Sequence, residues 1–280
     1  MEDKKDMTYQ ELVRGYRAKG YKLKYYGKVK ESRRTYRLYK IVINPRYKKT
    51  LLITTGFHGE EFNGPISLLG IFDEAVAFAK TMRARLVVYI CINPSGFDLH
   101  QRYNASGEKQ NNDFFRYIIK GGKLVGILRK DEPFVATTLV ASPAKEVKLL
   151  QKDILKHVYP VPHGVLDIHQ QKGNLKTGDV FAYVLDRRPT YLKIMKKLEK
   201  IAKIARNDPT FSWEGRRKTF YRIDADGLIF LHDGTITDMF YRFGSKFVVT
   251  SETNTTLPLE QVCQINLIWI KELIKLITKK

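Results

Sequence analysis

Cysteine is scarce in this sequence, and so are the apolar runs that direct a chain into or across a membrane. Only Cys91 and Cys263 occur among 280 residues, so a disulfide framework is not expected. The N-terminal segment MEDKKDMTYQELVRGYRAKG is charged and lacks the apolar core of a signal peptide. No later segment is long and apolar enough to span a bilayer. These absences predict a cytoplasmic protein.

The sequence also lacks repeats, low-complexity segments and linkers rich in proline, glycine or serine. A hydrophobic content of 43% over this length allows one large core. We therefore expect a single α/β domain over residues 1–280, with residues 1–50 forming its N-terminal helix and strands.

Acidic residues are outnumbered: 29 Asp and Glu face 50 Lys and Arg, giving a formal net charge of +21. Such a charge would favour nucleic acid, anionic lipid or acidic substrates. The basic residues are scattered, however, at helical or loop spacing that is typical of a solvated face. No helix-turn-helix, zinc-finger or aromatic RNA-binding signature accompanies them, so specific nucleic-acid binding is not expected.

The hydrophobic pattern alternates between strands and helices. Two antiparallel strands are predicted in YKLKYYGKV and RTYRLYKIVI, buried strands at 51–57, 85–94, 164–169 and 246–252, and helices at 8–20, 64–82, 142–157, 188–205 and in LEQVCQINLIWIKELIKLITKK. A long polar stretch at 95–112 suggests a functional loop. This order predicts a mixed sheet packed against helices.

The turn His58-Gly59-Glu60-Glu61 lies between a predicted buried strand and a helix. His58 and Glu61 are three residues apart, and at that spacing in a helical turn both side chains can face one point. Catalytic zinc commonly takes three protein ligands, and two His with one Glu is such a set. His169 is suited to be the third ligand because it ends the strand GVLDIH, and Asp167 on the same strand face could orient a ligand.

An isolated His-x-x-Glu is common by chance, and His58 alone would fit a polar cap at a helix start. The combination is more specific, because a third predicted strand ends in Glu252 and places a further carboxylate at a strand end. The other histidines are expected on the surface or in loops, although His100 and His232 could approach the site.

These motifs resemble the zinc carboxypeptidase family, including its succinylglutamate desuccinylase and aspartoacylase branch. Members carry HxxE after a buried strand, a later His after another strand, and a Glu ending a strand near the C-terminus. The segment HDGTITDMFYRFGSKFVVTSE also resembles the family sequence before that Glu. The resemblance covers much of residues 51–256 and implies a phosphorylase/hydrolase-like mixed sheet with helices on both faces. It also implies one Zn²⁺ per chain, held by His58, Glu61 and His169.

By this resemblance Glu252 is the general base, which accepts a proton from the water that the metal activates and passes it to the leaving amine. Arg102, in NPSGFDLHQRYN, matches the family Arg that polarises the scissile carbonyl. The alternative for Glu252 is a surface Glu that ends a strand. The alternative for Arg102 is one more Arg in a basic protein.

The chain departs from the family where substrate is held. The family has Asp-x-Asn-Arg before an aromatic residue, whereas residues 109–114 read KQNNDF. Asn111 fits the family Asn, but Asn112 replaces the Arg that grips a terminal carboxylate. Arg116 is the nearest substitute, and it would reach the same side if residues 112–116 were helical; an exposed Arg on a basic surface is the alternative reading.

The family also supplies a Tyr from a mobile loop, and no Tyr stands at its expected place here; Tyr221 and Tyr241 are the nearest candidates. The sequence thus predicts a zinc hydrolase that cuts a peptide as a carboxypeptidase, or alternatively an N-acyl amino acid as a deacylase. A non-catalytic basic binding protein is the alternative from another class. The metal set argues against it, because a binding module needs no base beside a metal.

Overall fold

The structure is a computed structural model that describes residues 7–31, 33–128, 132–157, 161–171, 175–214 and 217–279, with residues 209–221 described by their backbone alone. Its elements, in chain order, are α1 (Tyr9–Ala18), β1 (Leu23–Glu31), β2 (Arg34–Ile43), β3 (Thr50–Thr55), α2 (Asn63–Thr81), β4 (Arg85–Tyr89), α3 (Pro94–Leu99), β5 (Phe115–Ile119), β6 (Leu124–Val125), β7 (Phe134–Leu139), α4 (Lys145–His157), β8 (Gly164–Gln171), β9 (Val180–Val184), α5 (Arg188–Leu198), β10 (Pro209–Glu214), β11 (Arg217–Arg222), β12 (Leu228–Phe230), α6 (Ile236–Arg242), β13 (Phe247–Asn254) and α7 (Leu259–Thr278).

An eight-stranded mixed sheet forms the centre, with the strand order β1-β2-β4-β3-β8-β13-β9-β12. Its four middle strands, β4, β3, β8 and β13, run parallel to one another. Every residue of β3 and of β13 is buried, which is typical of parallel strands that are covered on both faces. The flanking pairs β2 with β4 and β9 with β13 are antiparallel.

Two hydrophobic clusters pack on the sheet. The larger joins side chains of α1, α2, α5 and α7, among them Phe72, Tyr191 and Trp269. The second joins α4, α6 and the small β6-β5-β7 sheet, with Tyr117, Leu150 and Phe240. The predicted fold class, a mixed sheet with helices packed against it, is confirmed. Among the described residues, none of the helices has the combination of length and hydrophobicity that crossing a bilayer requires.

Several predicted boundaries differ from the structure. The strand at 85–94 ends at Tyr89, and the polar stretch after it opens with α3, because Asn93 caps that helix and Pro94 occupies its first turn. The helix predicted at 188–205 ends at Leu198. The chain then turns back so that Ile204 bridges to Val180 at the start of β9.

Candidate active site

The ends of three neighbouring strands bring the predicted site residues together. In parallel strands the carboxyl ends lie at the same edge of the sheet. Thr55 of β3 is paired with Ile168 of β8, and His58 follows β3 after a short turn. His169 of β8 is in turn paired directly with Glu252 of β13. The strand register therefore places these side chains at one point.

The His58–Glu61 segment is a turn that precedes α2 and not part of the helix. The amide N of Glu61 donates to the carbonyl O of His58 at 3.2 Å, so both side chains face the same side. Gly59 lies against α3, and a Cβ atom there would stand 1.9 Å from the carbonyl C of Gly96. Only glycine fits at this close approach of two backbones.

Three donors converge in this turn and strand. Nδ1 of His58 is 2.6 Å from Oε1 of Glu61, and Nδ1 of His169 is 2.8 Å from Oε2 of the same carboxylate. The three ligand atoms lie within 4.8 Å of one another, and all three residues are buried. Two imidazoles and one carboxylate form a set that zinc accepts while an open position remains.

Asp167 determines which His169 nitrogen faces the cluster. Oδ2 of Asp167 lies 3.0 Å from Nε2 of His169, while Oδ1 accepts the hydroxyl of Thr54 at 2.8 Å. If Nε2–H is donated to Asp167, neutral His169 presents only a lone pair on Nδ1. A lone pair that faces a carboxylate oxygen at 2.8 Å requires a cation between them, either a proton or a metal ion. The donor arrangement therefore fits a divalent metal.

The electrostatics of the donors agree with that arrangement. Burial acts to raise the pKa of Glu61, but the two imidazoles hold it well below its usual range. Burial likewise acts to lower the pKa of His169, yet the carboxylates of Asp167 and Glu61 raise it well above its usual value. For His58, burial prevails and lowers the pKa. The imidazoles thus hold Glu61 as a carboxylate, a form that would also stabilise a bound cation.

Glu252 is a buried carboxyl group, 8% exposed, and it lines the cavity beside the donors. Its Oε2 atom has no hydrogen-bond partner among the residues that the structure describes. Burial raises the pKa of Glu252 to about 8; His169 opposes this shift and Glu61 adds to it. Burial therefore favours the neutral, protonated form of this carboxyl group.

Arg102 also lines the cavity, and its side chain is half exposed. Nη1 of Arg102 lies 3.2 Å from Oε1 of Glu60 and 3.7 Å from Oε1 of Glu61. Burial acts to lower the pKa of Arg102, but these two carboxylates outweigh it and raise it. Asn93 connects the segment after β3 to the loop that carries Arg102. Its side-chain nitrogen is 3.3 Å from the carbonyl O of Phe57 and 3.4 Å from the carbonyl O of Arg102.

Two of the three donors, His58 and Glu61, line a cavity of about 580 Å³. Asn111 and Asn112 line it. The side-chain oxygen of Asn111 is buried and has no hydrogen-bond partner in the described part of the chain. Nδ2 of Asn112 donates to the carbonyl O of Asp233 at 3.2 Å. Lining residues that sequence reasoning did not single out include Lys109, Tyr183, Asp233, Thr235, Thr237 and Thr250.

Arg116 lines the cavity from strand β5, so residues 112–116 do not form a helical turn, and the helical placement expected from the sequence is wrong. Its Nη1 atom donates to the carbonyl O of Asn112 at 2.7 Å and to that of Phe115 at 3.0 Å. Nη2 lies 3.4 Å from Oδ1 of Asp113. The guanidinium therefore lies next to the backbone of the residue that occupies the family Arg position.

The remaining candidates from the sequence are two tyrosines and two histidines. Tyr241 belongs to α6, where its ring lies 5.7 Å from that of His232, and it is not among the residues that line the cavity. The side chain of Tyr221 lies outside the described part of the chain. His100 caps α3 and packs on Phe62. Neither His100 nor His232 is among the lining residues.

No protein-family model matches the chain, and the comparison with curated proteins finds no match. Solved structures share its fold. A candidate metallopeptidase from Shewanella amazonensis is 22% identical, with a TM-score of 0.68 over 96% of this chain and 91% of that one. A metallo-carboxypeptidase from Pseudomonas aeruginosa is 17% identical, with a TM-score of 0.58 over 96% and 69%. The murein-tripeptide amidase of Escherichia coli O157 is 16% identical, with a TM-score of 0.53 over 90% and 91%.

The chain therefore has the metallo-carboxypeptidase fold. This confirms, at the level of the fold, the family resemblance that the His-x-x-Glu, His and Glu motifs indicate.

Proposed function

We propose that this chain, which has the metallo-carboxypeptidase fold, is a zinc-dependent hydrolase that cleaves a peptide or amide bond. The observation that carries the proposal is the convergence of His58, Glu61 and His169 within 4.8 Å at the strand ends, with Glu252 paired to His169 on the adjacent strand. A cavity large enough for a substrate residue opens at the same place.

In this proposal His58, Glu61 and His169 hold the metal, and Asp167 fixes the His169 tautomer. The bound zinc would supply a lowered pKa for water and polarise the scissile carbonyl. Glu252 accepts the proton of the attacking water and delivers it to the leaving amine, because its carboxyl group lines the cavity beside the metal donors and one of its oxygens has no hydrogen-bond partner among the described residues.

Arg102 is proposed as the donor to the carbonyl oxygen as negative charge develops there. It is a fixed cation beside the donors, held by Glu60. Asn111 is proposed to bind the substrate through its buried side-chain oxygen, which accepts no hydrogen bond from the described residues. Asn112 acts chiefly through its hydrogen bond to the turn at Asp233. Tyr241 is proposed to support α6 and not to contact the substrate, because its ring packs on His232.

The favoured substrate is a peptide cut at its C-terminus, and an N-acyl amino acid is the alternative. Arg116 is proposed to bind the substrate carboxylate in place of the Arg missing at Asn112, since its guanidinium lies 2.7 Å from that residue's carbonyl O. The Pseudomonas carboxypeptidase was solved with (2-guanidinoethylmercapto)succinic acid, a ligand that carries carboxylates. The murein-tripeptide amidase shows that this fold also serves an amidase.

Glu252→Gln tests the proposed chemistry. The amide is nearly isosteric but cannot accept a proton, so we expect the fold and metal content to persist while turnover falls by roughly a hundredfold or more. Substrates are found by screening the zinc-loaded protein against C-terminal peptides and N-acyl amino acids.

Glu60→Gln is the matched control, since it alters an adjacent carboxylate that pairs with Arg102. It should lower turnover far less than Glu252→Gln does. If Glu252→Gln keeps full turnover and Glu60→Gln loses it, the base is Glu60 and the assignment of Glu252 is wrong.

A further inference from the structure

A buried carboxylate lies behind the wall of the cavity and belongs neither to the metal ligands nor to the proposed base. Glu146, in the first turn of α4, is fully buried and is not among the residues that line the cavity. Its Oε2 atom accepts hydrogen bonds from Nδ2 of Asn104 at 3.2 Å and from Nε2 of Gln110 at 3.4 Å. A buried carboxylate is costly unless such donors surround it. These contacts therefore hold two amide side chains to α4 at one point.

Asn104 and Gln110 both belong to the loop of residues 101–112, which we call the cavity loop. Residues just before Asn104 and on either side of Gln110 line the cavity, namely Arg102, Tyr103, Lys109 and Asn111. Between the two anchors, Oδ1 of Asn104 accepts the amide N–H groups of Ser106 at 3.1 Å and of Glu108 at 2.8 Å. The two anchors therefore fix both stretches of the loop that reach the cavity.

The carboxylate of Glu146 also determines which way the Gln110 amide faces. A carboxylate only accepts hydrogen bonds, so Gln110 must present its NH2 group to Glu146 and its oxygen to the other side. That oxygen lies 3.4 Å from Nδ2 of Asn93. The oxygen of Asn93 in turn accepts the amide N–H of Gly96 at 2.9 Å and caps α3. One carboxylate thus orients two amide groups in series.

The same row of amides reaches the residues proposed to act at the metal. Nδ2 of Asn93 lies 3.3 Å from the carbonyl O of Phe57, the residue before His58, and 3.4 Å from the carbonyl O of Arg102. These buried polar side chains thus connect α4 to the start of the metal-binding turn and to the backbone of the proposed carbonyl donor. A reorientation of Gln110 would therefore be transmitted to both.

Capping of α4 does not by itself account for Glu146. The amide N–H of Ala144, the residue before the helix, donates to Oδ2 of Asp113 at 2.8 Å, so another carboxylate caps this end. Burial raises the pKa of Glu146, but the hydrogen bonds from its own backbone, Asn104 and Gln110 oppose that shift. Donors of this kind favour the ionised form, which is the form that orients the amides.

We propose that Glu146 is a positioning residue for the proposed hydrolysis. It does not contact the substrate; it holds the cavity loop so that Arg102 stands beside the metal donors and Asn111 stands in the cavity wall. Placement matters because a shift of about 1 Å in a reacting group can lower a rate by roughly a hundredfold. The inference rests on the proposed function, because it takes the cavity to be the substrate site.

Glu146→Gln is the direct test. The amide keeps the size of the side chain but directs its own NH2 group at the NH2 of Asn104 or of Gln110. The zinc-loaded proteins are assayed with benzoyl-glycyl-phenylalanine and with every substrate that the screen of C-terminal peptides and N-acyl amino acids identifies. We expect kcat/KM to fall by roughly tenfold to a hundredfold, chiefly through kcat. The zinc content should stay at the wild-type level, because the three ligands lie on other segments.

Asp153→Asn is the matched control. Asp153 is a second buried carboxylate of α4, but its Oδ2 atom accepts the hydroxyl of Tyr89 in β4 at 2.6 Å. Both variants should lower the free energy of unfolding, whereas kcat/KM of the folded protein should fall in Glu146→Gln alone. The double variant Glu146→Gln/Gln110→Glu exchanges the amide and the carboxylate, so that position 146 donates and position 110 accepts from it and from Asn93. We expect this exchange to recover most of the lost kcat/KM.

The outcomes separate this inference from the proposed function. If the wild type hydrolyses a substrate and Glu146→Gln loses no more kcat/KM than Asp153→Asn does, Glu146 does not position the site and the hydrolase stands. Failure of the double variant to recover kcat/KM also overturns the inference. If Glu146→Gln does not fold, the double variant and Glu146→Asp, which keeps a carboxylate on a shorter stem, are judged by the same criteria.

If the wild type hydrolyses nothing, the proposed function fails. Calorimetric titration with benzoyl-glycyl-phenylalanine then decides the inference alone. Binding that is weaker in Glu146→Gln and unchanged in Asp153→Asn supports the positioning role. Equal binding by all three proteins, or none by the wild type, overturns it.

Discussion

Among single side chains, Asp167 has the most specific role in supporting the metal ligands. Its Oδ2 atom contacts Nε2 of His169, and its Oδ1 atom accepts the hydroxyl of Thr54. Asp167→Asn would present an N–H to Nε2, moving the His169 proton to Nδ1 where the metal should bind. We expect zinc affinity to fall by about 10-fold to 100-fold. Competition with a chromogenic chelator measures it. Thr54→Val removes the other contact of Asp167 and should lower the zinc affinity clearly less. Equal losses of zinc affinity in the two variants would show that Asp167 acts through packing alone.

Arg116 is the side chain proposed to compensate for the Arg that is missing at Asn112. Its guanidinium uses three N–H groups on Asn112, Phe115 and Asp113 and retains donors on Nη2 and Nε. Arg116→Ala should weaken binding of a carboxylate-bearing substrate by roughly 1.5 to 3 kcal/mol. Arg116→Lys should restore the charge but not the planar pair of donors. Kinetics on one peptide as free acid and as C-terminal amide give the answer: equal cleavage of both by the wild type would contradict this role.

Among the contacts between elements, the one between the His58–Glu61 turn and α3 positions two of the three proposed metal ligands. Gly59→Ala would place a methyl group 1.9 Å from the backbone of Gly96, so the two elements must separate. We expect a loss of about 1 to 3 kcal/mol in the free energy of unfolding, together with weaker zinc retention. Chemical denaturation and metal analysis measure the two effects.

Gly70→Ala is the matched control for Gly59→Ala. It lies inside α2, and its Cβ would meet only Sγ of Cys263, at 3.4 Å. Alanine is the better helix former, so the control should retain or gain stability. A Gly59→Ala protein with normal stability and normal zinc content would show that the close approach of these backbones is not needed.

The elements that carry the metal donors could be predicted from sequence because they are continuous apolar runs. LLITT and GVLDIH become β3 and β8, and polar residues mark where each run ends. Helix α6 was not predicted, although TITD contains a signal for it. Thr235 caps the helix and accepts the amide N–H of Asp238, as Ser or Thr followed three residues later by an acid would indicate.

The strands β5 and β7 could not be predicted in the same way. Five of the six residues of β7 are exposed, so no alternating apolar pattern marks this strand. This small sheet positions Arg116, which is why helical spacing was the wrong guide to that side chain. Asp233 is likewise separated by 19 residues from Glu252 in sequence, and only the packing of α6 against β13 brings both to one cavity.

Across the whole molecule, the charge of +21 is compatible with a hydrolase and does not require a polyanionic partner. Part of it lies on the edge hairpin, where exposed Lys28 faces Arg37 across β1 and β2. Like charges at such positions destabilise the pair, but they also prevent another strand from adding to a free edge. This portion of the charge thus has an explanation within the fold.

The proposed chemistry requires above all a metal held by His58, Glu61 and His169. The decisive measurement is the zinc content of the purified, zinc-reconstituted protein after gel filtration, by mass spectrometry of the metal. We predict about one zinc per chain in the wild type and none in His169→Ala, since two remaining ligands hold zinc weakly. His163→Ala, just before the other end of β8, should retain the metal. Absence of zinc from the wild type, or stoichiometric zinc in His169→Ala, would show that these three residues are not the ligands of a resident zinc.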